Sequence, residues 1–328
     1  MRRRDFIKGI AGSATAWPLA ARAQALPERP LVGFLAGASS ASVLSKTGPA
    51  FLAGLHEQGL VEGRDLEITY SFAEGHLDRL PALAQQLVQL KPEVIFAVPT
   101  PAALAAKQAT PVIPIVCPLL ENPVRRGLVV SENRPGGNVT GILRYVDGLA
   151  GKDLELAKEL VPSASRVGLL VNIASVENAP QRRDVEAAGQ RLNIVIVPAE
   201  VREPGDLDAA LKKLADVNVQ AVIVLQDSMF FSEHRRIAAL TAVEQLPTVW
   251  TASLFVDDGG LISYGVDEVD SFRHAATFVQ KILKGAKPSE LPLELPTKFE
   301  LAINMKTAKA LGIEVSGKLL TRADKVIE

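Results

Sequence analysis

Cysteine is almost missing from this chain. Cys117 stands alone among 328 residues, so no internal disulfide can form and the cores must hold by burial. Within an apolar run, Cys117 reads as a small buried hydrophobe and not as a nucleophile. Histidine is nearly as scarce: His56, His76, His234 and His274 are scattered without metal-ligand spacing, so no metal site is expected. No uninterrupted apolar run reaches eighteen residues, which argues against a spanning helix. Neither sign of charge dominates, with 36 basic against 37 acidic residues, so nucleic acid, which rewards a concentrated positive patch, is not an expected partner. The chain also lacks G-x-S-x-G, a P-loop, H-E-x-x-H, and G-x-G-x-x-G after a strand. Neither a catalytic centre nor a bound cofactor is expected, and the chain is not read as an enzyme.

What is present begins with an export pattern. Arg2, Arg3, Arg4 and Lys8 precede a weakly apolar stretch, Gly9 to Ala21, that ends in Ala21-Arg22-Ala23. Arg3-Arg4-Asp5-Phe6-Ile7-Lys8 has the twin-arginine arrangement. Residues 1–25 are expected to be a twin-arginine signal peptide cleaved near Ala23 or Ala25, with the periplasm as destination; a basic arm for nucleic acid is the alternative. Cleavage leaves 31 basic against 36 acidic residues and Trp250 as the only tryptophan. The mature chain has the length and composition of a globular protein of two domains.

The next hundred residues alternate short apolar runs with helical periodicity. Leu31 to Leu35, Leu66 to Ser71, Val94 to Val98 and Val112 to Val116 predict strands, with Pro118 to Val124 as an irregular loop. Helical stripes fall at Phe51 and Leu55, at Leu77 to Leu90, and at Ala102 to Ala109 behind Pro101 at a first-turn position. The segment RPGGNVTGI, Arg134 to Ile142, breaks the rhythm and marks a crossing to a second lobe. A second βα series follows, with strands at Val167 to Val171, Ile194 to Val197, Ala221 to Leu225 and Thr248 to Trp250. Leu261 to Tyr264 predicts another strand, Val269 to Leu283 a strong helix, Pro288 to Pro296 an extended linker, and 308–311 and 319–327 two short helices. The fold class is therefore α/β: two Rossmann-like lobes with parallel sheets, joined by a hinge of several segments. The expected lobes are 26–143 plus 254–286 and 144–253 plus 287–328, with crossings near Ile142, Ser253 and Ala286.

Small polar residues recur where strands end and helices begin. Ser39 and Ser40 follow the first strand and Thr100 the third; Asn172 and Ser175 follow the first strand of the second lobe, and Asp227 and Ser228 its third. In parallel sheets this edge is where ligands bind, because helix N-termini present unpaired N–H groups there. Each residue alone is equally explained as a helix cap. Asn138 and Thr140 are placed beside a cleft between the lobes. Trp250, at a strand end, either stacks on an apolar ligand or fills the second core.

Several ordered segments resemble a known family. Ala73-Glu74-Gly75 with Asp78-Arg79-Leu80-Pro81, TPAALAAKQAT (100–110), RPGGNVTGI, GGLISYGVD (259–267) and PTKFELAINMKTAKALGI (296–313) are similar to bacterial ABC-transporter substrate-binding proteins related to the tryptophan-binding type, with the class I periplasmic binding fold. The resemblance implies a small solute, commonly an amino acid, held between the lobes and delivered to a membrane permease. It also implies that Thr100, Pro101 and Ala102 bind a carboxylate and that Asn138 to Thr140 form the cleft-side crossing. Two positions depart: Pro99 stands where the family usually has glycine, and Asn122 where it often has aspartate. Both lie in the expected pocket.

The combined expectation is a monomeric binding protein that closes on a carboxylate-bearing solute such as an amino acid or aromatic acid. Ser39, Ser40 and Thr100 would meet the acid, and Asp227, or alternatively Glu177, an ammonium group. A periplasmic sensor or adaptor for a membrane receptor, and a periplasmic enzyme, are the competing readings.

Overall fold

The computed structural model describes residues 29–328 apart from Asp147, Val176 and Glu177. The expected signal at 1–25 and the alternative ammonium partner Glu177 therefore lie outside the described residues. Two sheets form separately. The first contains β1 (Leu31–Ala36), β2 (Glu67–Phe72), β3 (Val94–Val98), β4 (Ile115–Leu120) and β5 (Val139–Leu143), all parallel, in the order β2-β1-β3-β4-β5. The second contains β6 (Arg166–Asn172), β7 (Val195–Val201), β8 (Ala221–Val224), β9 (Thr248–Trp250), β10 (Ile262–Val266), β11 (Phe299–Asn304) and β12 (Lys325–Ile327), in the order β12-β11-β10-β9-β8-β6-β7. Only the β10–β11 pair is antiparallel.

Sequence character follows position in the sheet. Central strands such as β3 (VIFAV) are buried at every residue, whereas the edge strand β2 (EITYSF) has no fully buried position. A parallel strand covered on both faces has no polar side to show. Along β1 and β3, Phe34 and Phe96 pack on one face under the helices Gly48–Glu57 and Glu268–Leu283. Leu35 and Ile95 pack on the other, under Leu80–Gln89 and Thr100–Ala109. Phe34, Phe51, Phe96 and Phe272 form a chain of ring contacts that ties the helix Glu268–Leu283 to the first lobe.

The chain crosses between the lobes three times: after β5 at Arg144–Gly148, between β10 and the helix Glu268–Leu283, and along 284–298 from that helix to β11. Two expectations need correction. The segment 254–286 does not belong wholly to the first lobe, because β10 pairs with β9 and β11 in the second sheet. The return crossing is accordingly at Val266–Glu268 and not near Ser253. Local patterning announces a strand at Leu261 to Tyr264, but the choice of sheet is made by distant partners.

Smaller corrections have local causes. Val112 lies in a turn whose amide donates to Thr110 Oγ1 (3.3 Å), so β4 starts later, and pairing with β5 carries it past Pro118 to Leu120. The last helix stops at Arg322, and Lys325–Ile327 becomes an edge strand on β11. Among the described residues no helix is long and apolar enough to cross a membrane.

The segment Arg134 to Ile142 proves to be structural. Gly141 has φ +143°, and a Cβ there would lie 1.9 Å from the Cys117 carbonyl oxygen, so only glycine lets β5 approach β4 this closely. The Gly141 carbonyl accepts from Glu294 N (3.0 Å), and Leu143 N donates to the Glu294 carbonyl (2.9 Å), which fastens the third crossing to β5. Cys117 itself is fully buried, and burial pushes its thiol up to about 12, as expected for an inert core residue.

Among the described residues one buried carboxyl has no partner. Asp153, in the helix Leu149–Leu160, is 0% exposed, and both carboxyl oxygens lack a hydrogen-bond partner. Burial raises its pKa well above the ordinary carboxylate range.

Two stability measurements check these points. Gly141→Ala should lower the unfolding free energy by at least about 2 kcal/mol in urea melts, through overpacking and backbone strain. Gly137→Ala, where an added Cβ meets nothing within 4 Å, should stay within about 0.5 kcal/mol; similar losses at both positions would contradict the close-approach account. For Asp153, the folded carboxyl holds its proton above the unfolded pKa, so the unfolded state binds fewer protons and stability falls as pH rises from about 4. Asp153→Leu should abolish that contribution and raise stability at pH 7 by about 1–3 kcal/mol. A destabilised variant with an unchanged pH profile would contradict it.

Candidate functional site

The C-terminal ends of the two sheets face one another across a cleft. Gly37 and Ala38 after β1, Gly75 and Leu77 after β2, and Pro99 and Pro101 after β3 line it from the first lobe. Val224 to Asp227 at the end of β8, Phe230 to Ser232, Trp250, Thr251 and Phe255 line it from the second. These strand ends include the point in the first sheet where chain order reverses, between β1 and β3, the usual ligand position in open α/β sheets. The space is about 900 Å³ counting its open mouth.

The first-lobe loops are held by backbone bonds that leave little freedom. Gly37 N donates to the Val98 carbonyl (2.8 Å) and Gly75 N to the Gly37 carbonyl (2.9 Å). In the second lobe, Gln226 is fixed from both sides: its N–H donates to Gln181 Oε1 (2.8 Å), and its carbonyl accepts from Gln181 Nε2 (2.9 Å) and Asn178 Nδ2 (3.1 Å). Its side chain then reaches across the cleft, where Gln226 Nε2 donates to Glu121 Oε1 at 2.6 Å. This is a direct bond between the lobes.

Glu121 is the junction of a larger network. Arg144 Nη1 donates to Glu121 Oε1 (3.2 Å), and Arg144 Nη2 to Glu268 Oε1 (3.1 Å). Arg144 belongs to the first crossing and Glu268 to the second, so the guanidinium joins both to the floor of the cleft. Burial opposes the charge on Arg144, but Glu268 and Glu121 outweigh it and hold its pKa above the ordinary arginine value. Among the residues lining the cleft, Arg144 is the one cationic side chain, and Glu121 and Asp227 are the anionic ones.

Asp227 caps the short helix Ser228–Ser232. Its Oδ1 accepts from Met229 N (2.8 Å), Phe230 N (3.3 Å) and Asn172 Nδ2 (3.1 Å). Oδ2 accepts no hydrogen bond among the described residues, on a side chain that lines the cleft. The aromatic wall is continuous: Phe231 meets Phe255 edge-on (5.8 Å, 74°), and Phe255 packs on Trp250 at 5.1 Å. Phe231 is 41% exposed, whereas Trp250 is 1% exposed and its Nε1 donates to Thr248 Oγ1 (2.8 Å). Trp250 is thus a buried backing for the cleft, and Phe231 is the ring open to a guest.

Of the residues singled out from the sequence, Pro101, Asp227 and Trp250 line the main cleft, and Asn122 and Asp227 line a small side pocket with Glu121, Tyr145 and Gln226. Asn172 acts through Asp227, and Ser175 N donates to the Asn172 carbonyl at 3.1 Å. Ser39 and Ser40 follow the lining residues Gly37 and Ala38 without lining the cleft themselves.

Four expectations fail for stated reasons. Thr100 is 0% exposed; its hydroxyl donates to the Leu119 carbonyl (3.1 Å) and accepts from Glu121 N (2.8 Å), so it positions Glu121 and does not face a ligand. Ala102 is buried, and its N–H is taken by the Pro99 carbonyl at 2.9 Å. Asn138 precedes β5 and so sits at the edge of the sheet opposite the cleft, where Nδ2 donates to the carbonyls of Thr110 (3.0 Å) and Ile113 (2.8 Å). Thr140 is buried mid-strand and donates to the Leu291 carbonyl of the third crossing at 2.9 Å.

Sequence reasoning missed Leu77, Glu121, Arg144, Gln226, Phe230, Phe231 and Phe255. Phe231, four residues after the capping Asp227, carried a signal, since a second ring beside the core residue Phe230 on a five-residue helix is left exposed. Among the described residues no group of three His, Cys, Asp or Glu side chains is placed to hold a metal ion.

Comparison with known proteins agrees with this architecture. The model of a family described as ABC transporter substrate binding protein matches residues 39–327. The chain is 27% identical over 271 residues to the tyrosine-binding protein of Clostridioides difficile (strain R20291), covering 83% of this chain and 78% of that protein. Its fold superposes on an ABC domain from Streptococcus pneumonia in complex with L-Trp, with a TM-score of 0.79 and 25% identity over 92% of this chain and 100% of that one. A ligand-free, open substrate-binding protein with adhesive properties from Clostridium difficile shares the fold, with a TM-score of 0.74 and 23% identity over 91% of this chain and 99% of that one. With two α/β lobes around a cleft and a family match along almost its whole described length, the chain belongs to the ABC transporter substrate-binding proteins.

Proposed function

We propose that this protein is the solute-capturing component of an ABC importer, exported by a twin-arginine signal to the periplasm and working there as a monomer that presents its cargo to a membrane permease. It binds without turning its solute over. The observation that carries the reading is the cleft itself: loops from the C-terminal ends of both sheets line one cavity, and Gln226 bonds to Glu121 across it. A guest that touches both walls stabilises the closed arrangement by its differential affinity for that arrangement over the open one.

The walls favour a small organic solute of amino-acid size with an apolar body. Leu77, Pro99 and Pro101 offer one side, and Phe230, Phe231 and Phe255 the other. The relatives named above for tyrosine and L-Trp support a solute of that kind, with Phe231 as the ring that meets it.

Fluorescence offers a direct test, because Trp250 is the only tryptophan of the mature chain and backs the cleft. Titrating residues 26–328 with L-tyrosine, L-leucine and the corresponding amines should shift its emission and raise the melting temperature. A bound solute at a hundred times its Kd should add about 2.7 kcal/mol of stability. Phe231→Ala should weaken the best binder about tenfold or more, roughly 1.4 kcal/mol, with little change in the unliganded melting temperature. A panel that leaves both signals unmoved, or a Phe231→Ala variant of undiminished affinity, would contradict the assignment of the cleft.

A further inference from the structure

We infer that His234 is a positioning residue of the solute site: from behind the aromatic wall it holds Phe231 and Phe255 in place, and it does so fully only while both of its ring nitrogens carry a proton. The inference rests on the reading of the cleft as the solute site and names what fixes the ring that meets the guest.

Phe231 and Phe255 belong to two separate five-residue helices, Ser228–Ser232 and Ser253–Asp257. Helices this short have too few internal bonds to hold themselves, so the bonds at their ends decide where their side chains lie. Asp227 fastens the start of the first helix, where its Oδ1 accepts from Met229 N and Phe230 N. His234 fastens the end. Its Nδ1 lies 2.6 Å from the Phe231 carbonyl oxygen, and its Nε2 lies 2.7 Å from Oδ2 of Asp258, just past the second helix. The imidazole also meets both rings, with centroids 6.1 Å from Phe231 and 5.4 Å from Phe255. One side chain thus joins the two segments that carry the wall, while Phe231 and Phe255 themselves line the cleft.

The two oxygens that face the ring nitrogens can only accept. A peptide carbonyl has no proton to give, and Asp258 is ionised: burial opposes its charge, but His234 and Arg235, whose Nε lies 3.3 Å from Oδ2, hold its pKa below the usual carboxylate value. A neutral imidazole offers one N–H and one lone pair, so it satisfies one of these oxygens and turns its lone pair toward the other; the imidazolium donates to both. The His234 side chain is only 14% exposed, which leaves water little room to repair a lost link. Other charged groups nearby have different partners: Arg236 pairs with Glu233 (3.6 Å) and Asp208, and Asp257 with Lys325. Asp258 is therefore the acid that favours the second proton on His234.

The test measures dissociation constants of L-tyrosine and L-leucine by calorimetry on residues 26–328 at pH 5.5 and pH 8.5, conditions that span the charge change of a histidine. For the probe that binds, affinity should be about fivefold weaker, or more, at the higher pH, the effect of losing roughly one hydrogen bond from the wall. Asp258→Asn presents an amide N–H to the neutral ring, whose own N–H still reaches the Phe231 carbonyl. This variant should bind within about twofold at the two pH values. His234→Ala should bind about fivefold more weakly than the parent at pH 5.5 and lose the pH dependence. A purely structural role would shift the melting temperature and leave these ratios alone. Parent affinities within about twofold of each other at the two pH values, or an Asp258→Asn variant with the parent pH profile, would overturn the inference while leaving the cleft as the solute site. Failure of both probes to bind at either pH would overturn both.

Discussion

The guanidinium of Arg144 is the interaction on which the rest of this structure depends. It stands at the first crossing between the lobes, faces Glu268 at the second, and holds Glu121 on the wall of the cleft. Removing one partner of a fully buried pair typically costs about 3–5 kcal/mol, because the remaining charge is stranded; these groups are part-buried, so water offsets some of that cost. Here two carboxylates would be stranded together. The crossing geometry, the orientation of Glu121 and the reach of Gln226 across the cleft are therefore one coupled arrangement.

Around that centre, separate local devices converge on the same end. Gly141 allows β5 to lie against β4 and receive the third crossing, and Thr100 fixes the backbone of Glu121 from the start of the next helix. Asn172, Asn178 and Gln181 hold Asp227 and Gln226 in place from the second lobe. Positions held by several buried hydrogen bonds move little relative to their own lobe. The chain passes from lobe to lobe at the crossings, where any relative motion of the lobes would have to bend it.

The sequence was most legible where burial is simplest. Runs such as Val94–Val98 and Ala221–Val224 are apolar at every position because both faces of their sheet are covered, and Asp227 before Ser228-Met229-Phe230 showed a cap at a strand end. Polar character alone did not tell a ligand contact from an internal bond: Thr100, Asn138 and Thr140 each found a backbone partner between 19 and 151 residues away. Nor did local pattern reveal which sheet β10 would join. Glu121 and Arg144 went unnoticed since they meet only through the pairing of β4 with β5, and Gln226 since it reaches Glu121 only when the lobes meet, with Gln226 and Glu121 separated by 105 residues and Arg144 and Glu268 by 124.

A single guest held by both lobes is the central claim, and amide hydrogen exchange with and without saturating solute tests it most directly. The account predicts added protection in two separate segments, around 119–122 with the first crossing and around 226–232 with 250–255, at the same solute concentration. Protection confined to one lobe, or located away from both strand-end clusters, would contradict it.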